Sequence, residues 1–295
     1  MAADDVMNLS PALEDGPRQG PALPPIRPMA VVMASVRRDW GSARSYRFPL
    51  VLTGIQLIAG VASYFFLGRL VGHGATSSIK SQLHEGYFAF VVIGSALLSI
   101  VATTLSSFAR RLRTDQTTGT LEALLISPSP AWLVIPASAS YELVFSATTS
   151  VAMVGLAAAI FGLRFDVALA SGIAALLGFL GALLLFCAIG IAFSGFILVF
   201  KRGDSGISLV TTAFSLFCGV LYPIQLLPTP LRLISEVLPF TWVLEVLRSG
   251  LLDRSADWVR LGELWLAAAA LVPLALWIFN AALRHARRGG TLSQY

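Results

Sequence analysis

Apolar residues in this chain come in long unbroken runs separated by short polar stretches, rather than at the alternating spacing of half-buried helices or strands. A helix needs about 20 such residues to cross the ~30 Å hydrocarbon core of a bilayer, where no backbone group can go without a partner. Five runs meet or approach that length: Phe48 to Gly68, Tyr87 to Ala109, one ending near Phe161, one between Val167 and Phe200, and Leu261 to Leu283. A sixth, Ile207 to Tyr222, has 16 residues and stops at Pro223. Proline cannot continue the hydrogen-bond ladder, so this span is expected to tilt or to meet a re-entrant segment.

The flanks read differently. Residues 1–28 hold six prolines and an acidic start, Asp4 and Asp5, which fits a disordered tail. No apolar core follows a basic N-terminus within the first 30 residues, so the first span is expected to stay as an anchor. In residues 29–47, Met29, Val32, Met33, Val36 and Trp40 fall on one helical face, while Arg37, Arg38, Arg44 and Arg47 supply positive charge. An interfacial helix lying along anionic headgroups fits that pattern, a plain basic flank being the alternative.

Composition narrows the class. The chain of 295 residues is 56% hydrophobic and 13% charged, with a mean hydropathy of +0.77. Soluble domains carry about 25% charged residues, so soluble, disordered, collagenous and disulfide-scaffold classes are excluded. The net charge of +5 is too thinly spread for a nucleic-acid surface. Cys187 and Cys218 lie in apolar runs and read as buried free thiols. With the N-terminus inside, 14 Lys and Arg fall in inner segments and seven in outer ones, as an even number of spans with both termini cytoplasmic requires.

Two segments are neither span nor plain loop. Residues 110–128 are longer than a turn between membrane helices needs and should contain a short helix. Thr118 can cap it, Glu122 lies in its first turn, Leu121, Leu124 and Leu125 form an apolar stripe, and Pro128 and Pro130 end it. The run Gly119-Thr120-Leu121-Glu122-Ala123-Leu124-Leu125-Ile126-Ser127-Pro128 resembles the cytoplasmic coupling helix of the permease subunits of type-2 ABC exporters. Upstream, Thr114-Asp115-Gln116-Thr117-Thr118 departs from the densely charged run common in that family. Residues 223–252 are apolar but interrupted by Pro223, Pro228, Pro230 and Pro239, so no uninterrupted piece can cross. A pair of short helices dipping in from outside, Leu231 to Leu238 and Phe240 to Leu252, is expected. The same resemblance recurs in Tyr222-Pro223, Leu227-Pro228, Leu238-Pro239-Phe240-Thr241 and Leu244-Glu245-Val246-Leu247-Arg248.

The expected architecture is an all-α membrane protein: six transmembrane helices, an N-terminal interfacial helix, a cytoplasmic coupling helix and outer re-entrant helices. Residues 29–288 form the permease domain between a tail at 1–28 and another at 289–295. The resemblance implies a multi-pass subunit of the bacterial inner membrane that exports drugs, lipids or lipid-linked glycans. It would work as a dimer with a second permease copy, amid membrane lipid, and be driven by a separate ABC ATPase. The chain itself offers no phosphate-cradling loop, because its two lysines, Lys80 and Lys201, follow Ile79 and Phe200 rather than glycine. ATP and magnesium are therefore expected on the partner, with no cofactor or metal in this chain.

Thr118, Gly119, Thr120, Leu121, Glu122, Leu124 and Leu125 are the expected ATPase-coupling residues, and Tyr222, Pro223 and Pro239 shape the expected outer gate. Glu142 reads either as an interfacial carboxylate or as a polar contact in the pathway. An ion-coupled secondary transporter is the alternative, although such machines place several ionisable groups at mid-membrane and only Glu142 qualifies here. An intramembrane hydrolase built on Gly203-Asp204-Ser205-Gly206 finds no histidine within a span to act as base, and no catalytic residue is assigned.

Overall fold

A computed structural model describes residues 47–74, 86–117, 131–163, 165, 167–200 and 204–288, with the single positions 33, 37 and 41. All regular structure among them is helical: α1 (Arg47–Gly74), α2 (Tyr87–Thr117), α3 (Ala131–Phe161), α4 (Leu169–Phe200), α5 (Asp204–Phe217), α6 (Thr229–Val237), α7 (Pro239–Leu252) and α8 (Trp258–Arg288). A 3₁₀ turn, Ile224–Leu226, precedes α6. Five helices hold stretches long and apolar enough to cross a membrane, within α1, α2, α3, α4 and α8.

Side-chain contacts fix the direction of each helix. The end of α1 meets the start of α2, where a methyl group on Gly68 would lie 3.0 Å from Phe88 Cβ. The Ser99 and Ser150 hydroxyls lie 3.1 Å apart, and Ser107 donates to Glu142 lower down, so α3 runs antiparallel to α2. Leu264 sits over Gly181 and Phe279 over Gly195, so α8 runs parallel to α4. Against the same α4, Gly250 meets Ala175, Val246 meets Gly178 and Phe240 meets Phe186, so α7 runs the opposite way with its N-terminus deepest. Glycines on α4 permit these approaches: a Cβ on Gly178 would stand 2.6 Å from Val246 Cγ1.

The short helix α5 runs back along the bundle from the end of α4 toward the start of α2. Its Gly206 lies beside Phe193 near the end of α4, and Val220 just beyond it lies beside Gly94 near the start of α2. At ~1.5 Å per residue, its 14 residues supply only about 21 Å, and the chain turns at Gly219, whose φ is +71°. That left-handed conformation suits glycine, since a side chain there would strain against its own backbone. α2 is the most enclosed of the long helices, whereas α1 leaves Phe48, Ile55, Phe66 and Leu70 exposed, as a lipid-facing surface does. Among the described residues the largest buried cluster joins α2, α4, α7, α8 and the turn after α5, with Leu97, Ile100, Phe186, Leu244 and Leu264 among its members, and two smaller clusters flank it.

Several expectations about helix ends are corrected. α2 does not stop at Ala109 but continues through Arg110 to Thr117, taking in the first part of the expected coupling region. Its polar residues keep the helix going because backbone hydrogen bonding does not need apolar side chains. α1 likewise runs to Gly74 rather than Gly68, and α3 begins at Ala131. Gly68 is a contact point of α1 with α2. The expected interfacial helix lies outside the described residues except for Met33, Arg37 and Gly41, each helical, and Arg47, which begins α1; both terminal tails also lie outside them. The expected pair of short helices is found as α6 and α7, displaced by no more than two residues at any end.

Candidate functional site

The prolines between α5 and α7 build a compact, irregular corner. Pro223 is buried and opens the 3₁₀ turn, Pro230 sits in the first turn of α6, and Pro239 is the first residue of α7, where a missing N–H costs nothing. The Tyr222 hydroxyl donates to the Leu216 carbonyl at the end of α5, and Trp242 Nε1 donates to the Glu236 carbonyl at 2.7 Å, closing α6 onto α7. Phe240 is fully buried between the rings of Phe186 and Phe214, at 5.6 and 5.2 Å, and anchors the deep end of α7.

Charged side chains occupy the other end of α7. The Arg248 guanidinium donates through Nη2 to the Phe90 carbonyl at 2.9 Å and to the Val220 carbonyl at 3.4 Å. Its central carbon lies 3.4 Å from the centroid of the Phe90 ring. Arg260 reaches Glu245 on α7 at 3.1 Å and Glu263 on its own helix at 2.8 Å, tying α7 to α8. Between these groups lies a cavity of about 300 Å³ walled by Phe90, Cys218, Pro223, Thr241, Glu245, Arg248 and Asp253, among others. Of the expected gate residues, Pro223 lines this cavity, Tyr222 is its chain neighbour, and Pro239 does not line it, the nearest α7 lining residue being Thr241.

Glu142 is elsewhere. It lies on α3 at the opposite end of the bundle, accepting from Ser107 and, at 2.6 Å, from Arg110 Nη2. Thr118, Gly119, Thr120, Leu121, Glu122, Leu124 and Leu125 lie outside the described residues. The hydroxyls of Thr104, Thr148, Thr149 and Thr211 bond back to carbonyls of their own helices. Asp204-Ser205-Gly206 forms the first turn of α5, so Ser205 occupies no strand-to-helix elbow. Both cysteines are free, Cys218 buried and Cys187 partly so.

Sequence reasoning quoted Thr241 and Arg248 within the resemblance but gave neither a role, and it passed over Gly94 and the Arg260 cluster. An arginine inside the apolar run Val243 to Leu252 was a usable signal, since a charge at membrane depth is costly and usually functional. Gly94 carried no such signal among 25 glycines.

No curated protein matches the chain. The family model described as ABC-2 type transporter matches residues 29–252, which takes in α1 to α7 and the whole of the corner described above.

Proposed function

The chain belongs to the ABC-2 type transporter family, a multi-pass permease subunit of an ABC transporter, and on that premise we propose that it forms half of an export pathway through the bacterial inner membrane. Two copies enclose the route, and each binds a separate ATPase. The observation that carries the reading is the family match over residues 29–252, joined to the pair of short helices α6 and α7 at one end of the bundle.

In this reading six helices cross, α5 being the short one, and both termini are cytoplasmic. The α6–α7 end faces outward and the Arg110 end inward. Residues 118–126 dock on the ATPase, and its closure pushes on α2 and α3, to which that segment connects. Because these helices have all their backbone bonds made internally, the push tilts them as rigid bodies and reaches the α6–α7 corner without local unfolding. The cargo is a drug-like molecule, a lipid or a lipid-linked glycan.

Leu121→Asp tests the coupling role. A carboxylate in the apolar docking stripe leaves an unpaired charge at the contact. Membrane insertion is expected to be unchanged, while copurification of the ATPase and transport-coupled ATP turnover fall at least tenfold. Full ATP turnover and transport in the variant would remove the docking assignment.

A further inference from the structure

One side chain of α7 reaches two other elements at the α6–α7 end. Arg248 projects from α7, donates to the Phe90 carbonyl within α2 and the Val220 carbonyl after α5, and stacks on the Phe90 ring. Its partners are backbone carbonyls and a ring rather than a carboxylate, and its Nε is buried without a hydrogen-bond partner among the described residues. A lysine could not reproduce this: the planar guanidinium carries a fork of donors and a flat face, the ammonium only a point charge. The space is cut to fit, because a Cβ on Gly94 would stand 2.6 Å from the Val220 oxygen and 2.9 Å from Arg248 Nη2. The corner after α5 is held in turn by Gly219 in its left-handed conformation.

We infer that Arg248 is the pin that seats α7 against α2 and the α5 turn, and so positions the outer gate of the transporter. The inference rests on the proposed transport function and its orientation. Cys218 reports on the pin directly. Its side chain is 1% exposed, and it walls the same cavity as Arg248. With α7 seated, the thiol is almost fully covered and reacts slowly; with the guanidinium gone, α7 loses its hold on both neighbours and the thiol becomes more exposed to the cavity it walls.

The experiment uses the full-length protein with its ATPase in cells and in inverted vesicles. Cys187→Ala leaves Cys218 as the only thiol, and a membrane-impermeant maleimide is added from either side. Arg248→Met is expected to speed labelling from outside at least tenfold and to lower cargo moved per ATP, while Arg248→Lys, keeping the charge, restores neither. In the reciprocal Cys218→Ala background, Cys187 on α4 is expected to label at its parental rate; a rise at both thiols would mean general loosening and would overturn the pin. Unchanged Cys218 labelling in Arg248→Met also overturns it. If that variant fails to insert, Gly94→Ala displaces the same contact, and parental Cys218 labelling there is equally fatal. Faster labelling confined to the cytoplasmic face would keep the pin and overturn the orientation on which the transport reading stands.

Discussion

Glu142 shows how far a single residue can be read. Its charge inside an apolar run marks it as unusual, and the structure supplies the reason it is tolerated: Arg110 and Ser107, from the facing helix, both donate to it. The ion pair is not deeply buried, with the two side chains 63% and 38% exposed, so solvent weakens it. A double-mutant cycle on Arg110→Met and Glu142→Gln, read by thermal unfolding, should therefore give a coupling energy of about 0.5–1 kcal/mol. Transport by Glu142→Gln should stay within about twofold of the parent if the carboxylate serves this tie; a tenfold loss with intact stability would instead place it in the pathway. Arg248 was less legible than Glu142 for a physical reason. Its partners are carbonyls 158 and 28 positions away in the chain, and a carbonyl leaves no trace in the identity of its residue.

At the scale of elements, the apolar runs marked which segments cross but not where the helices end. Hydropathy reports the solvent around a side chain, whereas the helix ladder continues wherever backbone geometry allows, as it does through Arg110 to Thr117. Proline marked the α5–α7 corner well, because it acts on the backbone itself. Helix neighbours were hidden, since they depend on which glycines face a partner. Gly190 and Gly155 make the contrast testable. A Cβ on Gly190 would press 2.5 Å from Phe108 Cδ2, and Phe108 is 1% exposed with nowhere to move. Gly190→Ala is thus expected to cost about 1–3 kcal/mol by overpacking the contact of α4 with α2. A Cβ on Gly155 meets nothing within 4 Å, so Gly155→Ala should be neutral or stabilise by up to ~1 kcal/mol through helix propensity alone. Equal melting temperatures for the two variants in lipid nanodiscs would contradict this packing of α4.

For the whole molecule the decisive question is the number of crossings, and charge alone does not answer it. Six crossings leave 14 Lys and Arg inside and seven outside; if α5 did not cross, the residues of α6 to α8 would exchange sides and the split would be 15 to six, which the positive-inside rule accepts as readily. The path of α5 supports our proposal of six crossings. It starts beside Phe193, 24 residues into α4, and leads to Val220 beside Gly94, seven residues into α2, so it runs from one end of the bundle nearly to the other. It stops short of the surface, and α7 fills the remainder, lying antiparallel to α4 with Phe240 deep and Gly250 near the start of that helix. A phosphatase fused after Tyr295 should therefore be inactive and a green fluorescent reporter at the same place bright, with the same pair of results for fusions ahead of Met1. Phosphatase activity at the C-terminal end with a cytoplasmic N-terminus would mean five crossings. The α6–α7 corner would then face the ATPase side, and a gate there could not open to the exterior.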